Sequence, residues 1–208
     1  MTKIKLCGLS RLCDIEAVNA LRPDYIGFVF APGSRRRVSV QTAMELRQAL
    51  LPGITAVGVF VDEEVGNVAG LLNQGVIDMA QLHGHEDEEY VAKLRLLTGR
   101  KLIQAFRIRT EEDVRRACRS KADHVLLDSG AGTGRSFDWK LVRKADRPYF
   151  LAGGLDPGLV GEAIMALAPY AVDVSSGIET GGLKDPEKMA AFVRAVREQP
   201  SGKEGMKR

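Results

Sequence analysis

Three residues with reactive side chains stand where short apolar runs of this sequence end. Cys7 follows Ile4 and Leu6, His83 follows Leu82, and Asp128 follows Val125-Leu126-Leu127. A thiol works as a base only as its thiolate, so an ordinary thiol of pKa ~8.5 needs cationic or N–H neighbours to bring it toward neutrality. Gly8, the next residue, is expected to leave that thiol uncrowded. Singly, each residue has a commoner use: an inert buried cysteine, a turn aspartate, a strand-end histidine.

Anion-binding signals lie further on. Leu151-Ala152-Gly153-Gly154-Leu155 and Val174-Ser175-Ser176-Gly177-Ile178 each place small residues where backbone N–H groups can converge on a phosphate. One such motif is equally well a tight turn; two favour phosphate, with Gly153, Gly154, Ser175, Ser176 and Gly177 as its cradle. Arg35-Arg36-Arg37 reads as a solvated turn, an anion site or a nucleic-acid patch. His83 and His85 flank Gly84, but no third ligand stands at zinc spacing, so no metal is expected. Gly130, Gly132 and Gly134 make a loop long enough to cover the site as a lid. Ser129 and Arg135 break the patterns of a Walker loop and a dinucleotide fingerprint there.

What positions these residues is an alternation of strand-length apolar runs with helix-period segments. The runs are 3–7, 25–30, 56–61, 79–82, 102–106, 124–127, 149–152 and 171–174. Most are continuously apolar, as parallel strands covered on both faces should be. Helices are expected over 14–21 with Ser10 as cap, and over 39–51, 64–73, 87–97, 110–119, 138–144, 157–167 and 186–197, with Pro157 and Pro186 in first turns. Eight strand–helix units in 208 residues predict a single (β/α)8 TIM barrel over 1–198, followed by a disordered polar tail over 199–208. A barrel of this kind places its chemistry at the carboxyl ends of its strands. Those ends carry Cys7, residues 34–37, Asp62, Gln81 and His83, Arg107, Asp128, Gly153-Gly154 and Asp173.

Bulk properties narrow the partners. The net charge of +3 is small, and aromatic residues make up only 6% of the chain, which argues against nucleic acid. Three widely spaced cysteines form no disulfide framework, and no apolar run approaches the ~18 residues of a membrane span. With no apolar signal region at the N-terminus, a cytoplasmic protein is expected, as monomer or homodimer. Cys13 and Cys118 fall in helix-period segments and read as structural.

At these residues the chain resembles the phosphoribosylanthranilate isomerase family. The resemblance is carried by Lys5-Leu6-Cys7-Gly8-Leu9-Ser10, Gly27-Phe28-Val29-Phe30, residues 34–39, Gly58-Val59-Phe60-Val61, Gln81-Leu82-His83-Gly84, Leu127-Asp128 and residues 132–139. It continues through Ala152-Gly153-Gly154-Leu155, residues 172–179 and Lys184-Asp185. Departures are small: Leu6 and Ser10 stand where the family usually has Ile and Thr, and Arg107 matches no motif. The resemblance implies an Amadori rearrangement of N-(5-phosphoribosyl)anthranilate in tryptophan biosynthesis, without metal or organic cofactor. It makes Asp128 the general acid, Cys7 the general base and Arg36 the partner of the anthranilate carboxylate. It also puts Asp173 and His83 at the sugar and ring. An acid at neutral pH requires the Asp128 carboxyl to rise from ~3.9. The rival readings are another phosphosugar barrel, which would use a different rim, and a non-catalytic anion- or RNA-binding barrel around Arg35-Arg36-Arg37, in which Cys7 would be dispensable.

Overall fold

The computed structural model describes residues 1–128 and 139–199. Eight parallel strands close in sequence order into a barrel: β1 Lys3–Cys7, β2 Tyr25–Val29, β3 Thr55–Phe60, β4 Met79–Leu82, β5 Leu102–Arg107, β6 His124–Asp128, β7 Tyr149–Ala152 and β8 Ala171–Val174. Each expected strand is present with ends shifted by at most one residue. Around the barrel run α1 Leu12–Leu21, α2 Val40–Ala49, α3 Val65–Asn73, α4 Glu88–Thr98, α5 Glu111–Arg119, α6 Trp139–Val142, α7 Val160–Leu167 and α8 Pro186–Arg197. No helix among the described residues is long and apolar enough to cross a membrane.

Strand side chains alternate between two cores. Ile4, Leu6, Ile26, Phe28, Leu127 and Val172 face outward and pack with the helices, which is why the strands read as unbroken apolar runs. Tyr25, Val57, Met79, Ile103, Leu126, Phe150 and Ala171 face inward and fill the lower barrel. Phe150 meets Tyr25, His124 and Tyr170 edge-on, with ring centroids 5.3, 5.7 and 5.5 Å away. This plug closes the bottom and leaves the upper barrel for polar side chains.

Several helix starts follow the sequence rules. Ser39 accepts from Thr42 N, Thr110 forms a capping box with Asp113, and Asp185 caps α8 ahead of Pro186. Two do not. Ser10 was expected to cap α1, but Arg11 is the N-cap, and the Asp14 carboxylate reaches back to the N–H groups of Ser10 and Arg11, each at 3.0 Å. Pro157 was expected inside the first turn of α7, but the helix begins at Val160. The Asp156 carboxylate accepts from Gly158 N and Leu159 N and so holds residues 156–159 as a separate turn.

Beyond β8 the chain makes a feature the sequence reading passed over: a short 3-10 turn, Ser176–Ile178, and an antiparallel hairpin of β9 Glu179–Thr180 and β10 Leu183–Lys184. Gly181 and Gly182 form its two-residue turn with φ of 60° and 83°, the left-handed conformation that favours glycine. The glycine loop read as a lid and the motif residues up to Asp138 lie outside the described residues, as do residues 200–208 of the tail. Gln199, at the start of that tail, donates its amide to the Ala195 carbonyl.

Removing the Phe150 ring leaves a cavity among aromatic neighbours. Phe150→Ala is expected to lower unfolding stability by about 3–5 kcal/mol, whereas Leu96→Ala, at a position 88% exposed, should change it by less than about 0.5 kcal/mol. Urea unfolding of both variants measures the difference.

Candidate active site

The carboxyl ends of the strands surround a cavity of about 690 Å³. Its walls include Cys7, Arg36, His83, Asp128, Gly153, Gly154, Asp173, Ser175 and Ser176, so nine of the ten residues singled out in the sequence meet there. Gly177 does not line it. A methyl group at Gly177 would overlap the Leu155 carbonyl oxygen, so this glycine lets the loops after β7 and β8 touch.

Cys7 faces inward because it shares parity with Lys3 and Lys5 along β1. Room for its sulfur comes from Gly27, its register partner on β2, where a methyl group would lie 2.6 Å from Cys7 Sγ. The sequence reading had assigned that task to Gly8. Gly8 instead has φ of +84°, and a methyl there would sit 2.5 Å from Arg36 Cδ, so it admits the arginine stem. Burial pushes the Cys7 thiol above its ordinary pKa; the ammonium groups of Lys5 and Lys184 pull it down without offsetting burial.

Lys5, Glu179 and Lys184, which the sequence reading did not place in the site, join Arg36 and Asp173 in a charged network beside the thiol. Lys5, wholly buried, donates to Asp173 Oδ1 at 2.9 Å. Burial alone would lower the Lys5 pKa, but Asp173 and Cys7 together outweigh it and hold the ammonium above its usual value. Arg36 Nε and Nη2 grip Glu179 Oε1 and Oε2 at 2.5 and 2.7 Å. Lys184 Nζ shares Glu179 Oε1 at 2.6 Å and donates to the Ser175 carbonyl at 2.8 Å. Burial alone would raise the Glu179 carboxyl, yet Arg36 and Lys184 together hold it below the usual range. Of the three consecutive arginines only Arg36 turns into the cavity, while Arg35 and Arg37 are exposed. Its bond to Glu179 uses one edge of the guanidinium. Nη1 makes no hydrogen bond among the described residues, and with the second N–H of Nη2 it keeps the planar geometry that suits a carboxylate.

Across the mouth, His83 Nε2 lies 3.4 Å from Asp128 Oδ2, and His83 Nδ1 lies 3.0 Å from Gln81 Nε2. The imidazole thus bridges the two residues, with Nδ1 toward Gln81 and Nε2 toward Asp128. β1 and β6 lie three strands apart around the closed barrel, so Cys7 and Asp128 address the cavity from different sides. His85 diverges from His83 and pairs with Asp62 at 3.0 Å on the exposed rim. Asp62 also accepts from His85 N, so it latches the loop after β4. Arg107, exposed at the end of β5, completes the wall beside Asp128.

On the β7–β8 side the wall is backbone. Gly153 and Gly154 have φ of 94° and 65°, a turn that L side chains disfavour. Among the described residues the N–H groups of Gly154 and Ser176 donate to no backbone acceptor. The cavity thus has donors on one side and proton-transfer groups on two others.

Such a barrel, with a thiol, a carboxyl and an imidazole converging on one cavity, is a barrel enzyme by fold and site. A family model described as N-(5'phosphoribosyl)anthranilate (PRA) isomerase matches residues 4–195, and the chain belongs to that family. The N-(5'-phosphoribosyl)anthranilate isomerase of Acetivibrio thermocellus is 44% identical over 216 residues, covering 97% of this chain and 99% of that one. The crystal structure of the Thermotoga maritima phosphoribosyl anthranilate isomerase superposes with a TM-score of 0.87 at 34% identity, covering 95% of this chain and 99% of that one. A phosphoribosyl anthranilate isomerase solved in complex with reduced 1-(o-carboxyphenylamino)-1-deoxyribulose 5-phosphate superposes with a TM-score of 0.85, also at 34% identity and with the same coverage.

The close approach at Gly27 gives a paired expectation. Gly27→Ala forces Cys7 to shift and should cost about 1–3 kcal/mol of stability. Gly66→Ala, in α3 with only Glu64 Oε1 nearby at 3.9 Å, should stabilise by about 0.5–1 kcal/mol. Equal effects of the two in denaturant unfolding would contradict the packing described.

Proposed function

We propose that this cavity binds N-(5-phosphoribosyl)anthranilate and that Asp128 and Cys7 carry out its Amadori rearrangement as general acid and general base. The chain is an isomerase of tryptophan biosynthesis by family; the observation that carries the residue assignment is that Cys7 and Asp128 face one cavity from different sides. Asp128, as its carboxylic acid, gives a proton to the furanose ring oxygen. The C1–O bond breaks as the anilino nitrogen lone pair forms a protonated Schiff base at C1. Cys7, as thiolate, takes the proton from C2, and the electron pair left behind neutralises the iminium to give the enolamine. Protonation at C1 and loss of the C2 hydroxyl proton then yield the ketone, 1-(2-carboxyphenylamino)-1-deoxyribulose 5-phosphate.

The rest of the cavity orients that substrate. The backbone N–H groups of Gly153, Gly154, Ser175 and Ser176 hold the phosphate, with Gly177 fixing the spacing of the two loops. Arg36 offers its outer edge to the anthranilate carboxylate while Glu179 keeps the guanidinium planar to the cavity. His83, with Nε2 toward Asp128, keeps the Asp128 oxygen in place. Asp173 accepts from a sugar hydroxyl through the oxygen that Lys5 does not occupy.

Cys7→Ala and Asp128→Ala should each lower turnover by about 10²–10⁴-fold, read as loss of anthranilate fluorescence from enzymatically generated substrate. Substrate affinity should change far less, and near-parental turnover in either variant would sink that residue's role. Arg36→Ala should act mainly on the Michaelis constant, raising it about 10-fold or more, as expected for a lost charge-assisted pair. A parental constant in Arg36→Ala, with Arg35→Ala or Arg37→Ala impaired instead, would move the carboxylate site.

A further inference from the structure

We propose that Lys5 is the positioning residue of the base: its buried ammonium, anchored by Asp173 beneath the thiol, stabilises Cys7 as the thiolate that abstracts the substrate proton. The inference deepens the reading of Cys7 as base and rests on it.

Lys5 precedes Cys7 by two residues on β1, so both side chains enter the barrel on one face, their Cβ atoms about 6.6 Å apart along the strand. The Cα register pairs Lys5 with Asp173 on β8 and Cys7 with Gly27 on β2. The lysine therefore rises from the layer below the sulfur, where its ammonium donates to Asp173 Oδ1 at 2.9 Å and its charge acts on the thiol above. A fully buried ammonium is unfavourable unless paired, and a lysine that served only packing would be better replaced by an apolar residue, as at the inward positions Val57 and Ile103.

Four charged groups act on Cys7 from the elements packed around it: Lys5 from its own strand, Asp173 from β8, Lys184 from the hairpin, and Arg36 from the loop after β2. Arg36 and Lys184 both spend their charge on Glu179, and Lys184 gives further bonds to Ser175. Of these charges Lys5 acts most strongly on the thiol, and its pull on Cys7 exceeds the opposing push of Asp173. Held charged by Asp173, Lys5 is no proton acceptor itself. It offers a fixed positive charge in a water-poor layer, where such a charge acts strongly.

The test is the pH dependence of Cys7 alkylation by iodoacetamide, followed peptide by peptide by mass spectrometry so that Cys13 and Cys118 are scored apart. In Lys5→Met the Cys7 midpoint should rise by about one pH unit or more, and kcat/KM at neutral pH should fall about tenfold for each unit. An unchanged midpoint in folded Lys5→Met overturns the proposal. Should that variant fail to fold with Asp173 left unpaired, Asp173→Asn is compared with the double variant Lys5→Met/Asp173→Asn: a higher midpoint in the double variant supports the role of Lys5, and equal midpoints overturn it. If the midpoint moves but kcat/KM does not follow, the assignment of Cys7 as base fails while the Lys5–Cys7 coupling stands.

Discussion

Closure of eight parallel strands into one barrel removes every sheet edge and fixes which alternate side chains of each strand point inward. Everything at the site follows from that parity. On β1 it sends Lys5 and Cys7 into the same column, and on β8 it aims Asp173 at Lys5. On β6 it turns Leu126 into the plug and Asp128 into the mouth. Because the lower barrel is filled by Phe150 and its neighbours, these polar groups cannot sink further and must meet at the carboxyl end.

The charges there form a partly buried network rather than separate pairs. Lys5 with Asp173, and Arg36 and Lys184 with Glu179, set three cations against two carboxylates around the thiol. A pair of opposite charges under low dielectric gains little net stability after desolvation. The excess of one positive charge instead favours anions, whether a carboxylate, a phosphate or a thiolate. Burial works against the thiolate and the cations work for it, so the state of Cys7 is a balance between neighbours.

Much of this was legible in the sequence. Continuous apolar runs located the strands because both of their faces are covered, and the barrel then placed Cys7, His83, Asp128 and the glycine motifs on one rim. Long-range pairing was not legible. Lys5 and Asp173 lie 168 positions apart, and Arg36 and Glu179 lie 143 apart, so only the closed sheet brings each pair together. A lysine at the same parity as Cys7, inside an otherwise apolar strand, was the available signal for Lys5. The space beside the thiol was credited to Gly8 because it is adjacent in sequence, whereas register across the sheet gives it to Gly27. Local chemistry misled at α1 and α7, where Asp14 and Asp156 outcompeted the expected cap and proline start.

The contact between Gly177 and the Leu155 carbonyl makes the loops after β7 and β8 one mechanical body. At that contact no side chain lies between the two loops to absorb a displacement. That half of the cavity is built largely from main chain and keeps its dimensions while position 177 remains glycine. The opposite wall, with Arg36, His83, Arg107 and Asp128, is built from side chains that can be exchanged singly. Divergence within such a barrel would therefore alter the group at one end of a ligand while conserving the size of the group at the other.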